Sequence, residues 1–149
     1  MDDTPYVVND PQAMRFQVKR STLFDPHVLE LEKSRIFDVC WIYVGHESQV
    51  PKSGDYATAQ VGRQPMILVR GSDGKVRVLY NRCPHRGNMI CGDMKGNTGD
   101  QFRCSYHAWT FQLDGRLKNI PMMDSGYRDT RVTRDNPDCT ADSNILGTD

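Results

Sequence analysis

The sequence predicts a small, mainly β protein: an antiparallel sandwich or barrel preceded by a short helical arm. Three observations lead there. Short runs of β-forming residues recur from Trp41 to Leu113, Gly-containing turns separate them, and a proline-led amphipathic stretch comes before them.

The totals set the bounds. With 149 residues the chain can bury one ordinary core. Its 19 Lys and Arg balance 19 Asp and Glu, so nothing in the charge asks for nucleic acid or an anionic membrane as partner. The acidic, proline-punctuated start lacks the basic-then-apolar grammar of a secretory signal. The most apolar short stretch, residues 39–44, is too short to cross a bilayer. A soluble, cytoplasmic protein is therefore expected. In that compartment five cysteines read as metal ligands or buried residues rather than as a disulfide framework.

In order along the chain, residues 1–20 carry few order signals and are expected to form an extended arm. Asp25-Pro26 reads as an N-cap followed by proline at the first helical position. Val28, Leu31, Arg35 and Phe37, interleaved with Glu30, Glu32 and Lys33, predict a short amphipathic helix to about Phe37. Strands are expected at Trp41–Val44, Tyr56–Val61, Met66–Arg70, Val76–Tyr80, Gln101–Arg103 and Thr110–Leu113. Gly71-Ser72-Asp73-Gly74 signals a hairpin, and Asp114-Gly115 a turn. Beyond Pro121 the text is polar and turn-rich, with little to bury. The expected organisation is an arm and helix over 1–37, a β domain over 38–125 and a polar loop or tail over 126–149. No internal repeat or low-complexity block is present.

Two short segments carry the chemistry: Cys83-Pro84-His85-Arg86-Gly87 and Cys104-Ser105-Tyr106-His107-Ala108-Trp109. Each follows a predicted strand, and each brings one thiol and one imidazole. That donor set suits zinc or an iron–sulfur centre, whereas hard cations take oxygen ligands. A zinc site of two Cys and two His usually pairs like with like, as C-x2–4-C and H-x3–5-H. Here each loop mixes the two kinds, which favours a binuclear cluster with thiolates on one iron and imidazoles on the other. A zinc-stabilised binding module stays open as the alternative.

Around these loops the chain resembles a known family. The residues are Ile36-Phe37, Trp41-Ile42-Tyr43-Val44-Gly45-His46, Gly54-Asp55-Tyr56, Asn81 to Gly87, Cys104 to Trp109, and Asp114-Gly115. Over about residues 20–130 the text resembles the N-terminal Rieske domain of the large (α) subunit of aromatic-ring-hydroxylating dioxygenases. The resemblance implies a small antiparallel Rieske-type β-sandwich holding one [2Fe–2S] cluster in two loops. By it, Cys83 and Cys104 ligate one iron, and His85 and His107 the other. It also implies the partners: a ferredoxin or NADH-dependent reductase as donor, and a mononuclear iron centre for O2-dependent dihydroxylation of an aromatic ring as acceptor. Trimers of α, with or without β subunits, are common in that family.

The second iron's usual motif resembles D-x3-H-x4-H. The chain has four His, the cluster takes two, and His27 and His46 lack the spacing. No catalytic residue is therefore expected here, and the mononuclear Fe(II) is expected only in a catalytic domain outside this text. Alone, the chain is expected to cycle electrons without oxygenating. A free-standing Rieske ferredoxin is the other electron-transfer reading, which the helical arm disfavours. High-potential respiratory relatives resemble C-T-H-x-G-C and C-P-C-H-G-S; laid onto this chain, those places hold Asn88, Tyr106 and Trp109. Neither the clamp disulfide nor the serine hydroxyl is available, so a potential near the low end of the Rieske range is expected.

Neighbouring residues carry two readings each. Arg86 either orients His85 or is solvated, Trp109 either walls off the cluster or is ordinary core, and Tyr106 either donates its hydroxyl near the sulfurs or packs. Gly45 and Gly87 read as turn positions, His46 as part of a structural turn, and His27 as a surface residue. Cys40 and Cys91 read as buried and structural, with some redox sensitivity for Cys91, and Cys139 as incidental.

Overall fold

The structure, a computed structural model, describes residues 5–122 and Ser125. The expected tail at 126–149, with Cys139, lies outside the described residues. The chain divides into two compact units, the first ending at Ile42 and the second beginning at Tyr43.

The first unit corrects the expectation of an extended arm. Strands β1 (Val7–Asp10) and β2 (Arg15–Val18) pair as an antiparallel hairpin, with Val7 opposite Val18 and Asp10 opposite Arg15. The Asp10 carboxylate closes the turn by accepting from the N–H groups of Gln12 (3.1 Å) and Ala13 (3.0 Å). This local Asx turn substitutes for burial, since Val7, Phe16 and Val18 remain exposed. The helix follows the sequence reading. Asp25 caps α1 (Pro26–Glu32) by accepting from His27 N–H at 2.9 Å, and one wider turn, of π type, continues it over Lys33–Phe37. Val28 is its buried residue.

The strand expected at Trp41–Val44 does not form: residues 41–46 have no regular structure, and Trp41 is fully exposed. None of the three sheets contains residues 41–44, and an apolar run without a ladder partner has no reason to become a strand. Cys40, expected to be buried, is exposed.

The second unit is the sandwich. One sheet has the order β5-β4-β3-β6, from β3 (Asp55–Val61), β4 (Gln64–Arg70), β5 (Val76–Tyr80) and β6 (Lys95–Asn97). The other has the order β7-β8-β9, from β7 (Gln101–Arg103), β8 (Thr110–Gln112) and β9 (Leu117–Asn119). All pairings are antiparallel. Phe102 and Phe111 face each other in register and are completely buried, and the Tyr56 ring meets Phe102 edge-on at 6.5 Å. With Ile67, Val69, Leu79 and Ile120 they form one core that also takes in Cys83, Cys104 and Trp109. Arg70 fastens the entry to this unit, its guanidinium donating to the carbonyls of Val50, Glu47 and Gly74. His46 caps the short 3₁₀ turn Glu47–Gln49, in keeping with its structural reading. Among the described residues no helix is long and apolar enough to cross a membrane.

Candidate metal centre

The two chemistry-bearing segments become two loops with the same backbone plan. The first leaves β5 and the second leaves β7. In the first, the Cys83 carbonyl accepts from Gly87 N–H (2.7 Å), and Cys83 N–H donates to the Asn88 carbonyl (2.7 Å). In the second, the Cys104 carbonyl accepts from Ala108 N–H (3.0 Å), and Cys104 N–H donates to the Trp109 carbonyl (2.8 Å). Each turn closes through a left-handed residue, Gly87 at φ 71° and Ala108 at φ 58°. Glycine adopts that region freely, whereas at Ala108 the loop holds a conformation of higher local energy.

The plan aims backbone N–H groups at each sulfur. Those of His85 and Arg86 face Cys83, and those of Tyr106 and His107 face Cys104. The two thiols are also hydrogen-bonded to each other across the loops. Burial pushes the Cys83 thiol up, to about 11. At Cys104 burial acts in the same sense, but the amides of Tyr106 and His107, together with Cys83 and Asn88, outweigh it and the thiol ends below its ordinary value. The two thiols are thus shifted in opposite directions, Cys83 upward and Cys104 downward.

The imidazoles form the second pair. The rings of His85 and His107 lie 4.5 Å apart, at 68°. Trp109, buried in the core, stacks on His85 at 4.8 Å and 3°, while the largely exposed Tyr106 ring lies against His107 at 3.8 Å. Burial, then the proximity of His107 and Arg86, lowers the His85 pKa, the direction that favours the neutral imidazole a metal ligand requires. The Arg86 side chain itself is exposed.

One atom tests whether these residues fit a metal cluster. His85 Nδ1 is buried without a hydrogen-bond partner. A buried, unpaired polar atom costs roughly 1–3 kcal/mol, and ligation removes that cost. The donor set fits as well. Among the described residues no three or more His, Cys, Asp or Glu side chains gather as a set for one metal ion. Within the site the two thiols interact with each other and the two imidazole rings lie together, a division that a two-iron cluster with unlike irons would use.

Sequence reasoning missed two asparagines. Asn81, buried, staples the first loop: its Oδ1 accepts from the N–H groups of Ile90 (3.0 Å) and Cys91 (2.8 Å), and its Nδ2 donates to the Cys91 carbonyl (2.7 Å). Asn88 reaches across to the second loop, with Nδ2 3.6 Å from Cys104 Sγ. The strand-to-loop position of Asn81 marks a turn, but nothing in the pattern marks a buried, fully satisfied amide.

The remaining described cysteines are free and separate by environment. Burial, helped by Asp93, pushes the Cys91 thiol up to about 12, whereas Cys40 is exposed. Iodoacetamide at neutral pH is expected to label Cys40 and to spare Cys91 until the chain unfolds. Mass spectrometry of the labelled peptides checks this; early labelling of Cys91 contradicts it.

Paired thiols and paired imidazoles on two loops rooted in a small β-sandwich define a class of iron–sulfur protein. The comparisons with known proteins agree: the Rieske [2Fe-2S] domain model matches residues 40–134, and the chain belongs to that family. A Rieske domain carries a [2Fe–2S] cluster. The chain is 40% identical over 125 residues to toluate 1,2-dioxygenase subunit alpha of Pseudomonas putida, covering 83% of this chain and 27% of that one. It is 43% identical over 93 residues to the glycine betaine monooxygenase oxygenase subunit of Chromohalobacter salexigens, covering 62% and 21%. Its fold matches naphthalene 1,2-dioxygenase from Rhodococcus sp. with a TM-score of 0.69 and 36% identity, over 74% of this chain and 25% of that one. The chain thus spans about a quarter of the length of the curated relatives it matches, which are oxygenase subunits.

Proposed function

We propose that the chain is the electron-transfer domain of a ring-hydroxylating oxygenase α subunit, with Cys83 and Cys104 on one iron of its [2Fe–2S] cluster and His85 and His107 on the other. The observation that carries this reading is the crossed pairing: each loop mixes donor types, yet sulfur meets sulfur and imidazole meets imidazole. Bound there, the cluster supplies reversible one-electron storage. The protein's own share is preorganisation. The amides of Tyr106 and His107 face the Cys104 sulfur and lower its pKa. Trp109 stacks on His85 and fixes the plane of its ring with Nδ1 buried; with Nδ1 on iron, Nε2 would keep its proton. That outer N–H, like its counterpart on His107, is free to donate to an acidic group on the electron acceptor.

The proposed donor is an NADH-dependent reductase, directly or through a ferredoxin. The proposed acceptor is a mononuclear iron in the catalytic portion of the oxygenase, within an oligomer of α subunits with or without β subunits, and used for O2-dependent dihydroxylation of an aromatic substrate. The similarity to a glycine betaine monooxygenase subunit favours a second reading, a monooxygenase with a non-aromatic substrate. The cluster loops serve both equally, because substrate is chosen at the acceptor.

Voltammetry tests the assignment. With no clamp disulfide available at Asn88 and Trp109 standing where high-potential relatives carry the serine, the midpoint is expected toward the lower end of the Rieske span of about −150 to +300 mV. A strongly positive midpoint contradicts the oxygenase reading.

A further inference from the structure

Asn88 belongs to the first loop but bonds to both. Its carbonyl accepts from Cys83 N–H at 2.7 Å. Its side-chain Nδ2 lies 2.9 Å from the Met89 carbonyl, 3.2 Å from Ser105 Oγ and 3.6 Å from Cys104 Sγ. A carbonyl only accepts, so the Met89 contact fixes the orientation of the amide, with its NH2 toward the sulfur. Unlike the backbone donors at Cys83 and Cys104, this one can be removed without rebuilding the loop.

We propose that Asn88 is a positioning residue that raises the reduction potential of the cluster by hydrogen bonding to the Cys104 sulfur, and that Ser105 tempers it by competing for the same N–H. The proposal rests on the reading of Cys104 as a cluster ligand. Reduction adds negative charge that spreads onto the ligand sulfurs, so a donor at sulfur stabilises the reduced form more than the oxidised one. The amide has two protons and three acceptors. The Met89 carbonyl takes one, and Ser105 Oγ and Cys104 Sγ share the other. Two substitutions therefore act in opposite senses. Asn88→Leu removes the donor and lowers the potential. Ser105→Ala removes the competitor, releases the N–H to sulfur and raises it.

The experiment is protein-film voltammetry on the reconstituted wild-type chain, Asn88→Leu and Ser105→Ala, with an EPR spectrum of each after reduction. The expected result is a midpoint below wild type for Asn88→Leu and above it for Ser105→Ala, each with the histidine-ligated signal retained. Unchanged midpoints, or shifts of the same sign in both variants, overturn the proposal, because a merely structural role would not separate them by sign. If Asn88→Leu does not load the cluster, Ser105→Ala alone decides: its hydroxyl is exposed, and only an upward shift supports the proposal. A wild-type chain that shows no histidine-ligated signal instead removes the ligand assignment, and this proposal with it.

Discussion

Cys104→Ala is expected to abolish cluster binding, taking the iron content of reconstituted protein from about two per chain to none. The reason is geometric. Cys104 stands at the convergence of the two loops, hydrogen-bonded to Cys83, faced by the amides of Tyr106 and His107 and reached by Asn88. Four donors in two pairs leave no spare ligand, and the methyl group of alanine cannot bind iron. Cys91 is the control. It is buried in the same core as Cys83 and Cys104, but its backbone is held by Asn81 and its sulfur is not among the paired donors. Cys91→Ala should keep the iron and the brown-red colour. Iron and sulfide analysis with visible absorption reads both variants. Full iron content in Cys104→Ala would show that the four-residue set is wrong.

Asn81→Leu is expected to cost about 3–5 kcal/mol of folding stability. The amide makes three hydrogen bonds to the backbone of residues 90 and 91, each no longer than 3.0 Å. Leucine is similar in size but can neither accept from the two N–H groups nor donate to the Cys91 carbonyl. Those groups lie in or beside the core, and each buried group left unpaired costs about 1–3 kcal/mol. Chemical denaturation of the apo chain measures the loss, and a change below about 1 kcal/mol would show that water or loop movement takes over the pairing. Because Asn81 immediately precedes the loop that presents Cys83 and His85, the same variant should also load less iron.

The sandwich is legible, and the four proposed donors stand out, because each rests on local grammar. The Met66–Arg70 and Val76–Tyr80 runs carry β-forming residues around a Gly-Ser-Asp-Gly turn, and they pair as β4 and β5 in the structure. The C-x-H and C-x-x-H loops announce their chemistry by spacing alone. What was not legible depends on partners distant in the chain. Lys95-Gly96-Asn97 has no strand pattern, and becomes β6 because it pairs with β3 where Gly96 leaves room for Tyr56; a Cβ there would lie 2.8 Å from the Tyr56 hydroxyl. Leu117–Asn119 likewise becomes β9 through β8, with Leu117 in the core. The reverse holds at Trp41–Val44, where strong β propensity meets no partner strand. The β1–β2 hairpin carries no strong sequence signal because its turn is made by the Asp10 side chain rather than by a glycine pair. Asn81 and Asn88 were invisible as site residues because an asparagine's role depends on what its amide meets, and both meet groups that only the folded loops bring near.

The most direct test of the central claim is an EPR spectrum of the anaerobically reconstituted, dithionite-reduced chain. Two thiolates on one iron and two imidazoles on the other predict a rhombic signal with the low average g of a histidine-ligated [2Fe–2S] cluster. An EPR-silent sample with zinc by metal analysis would contradict it, and so would the higher average g of a cluster ligated by cysteine alone.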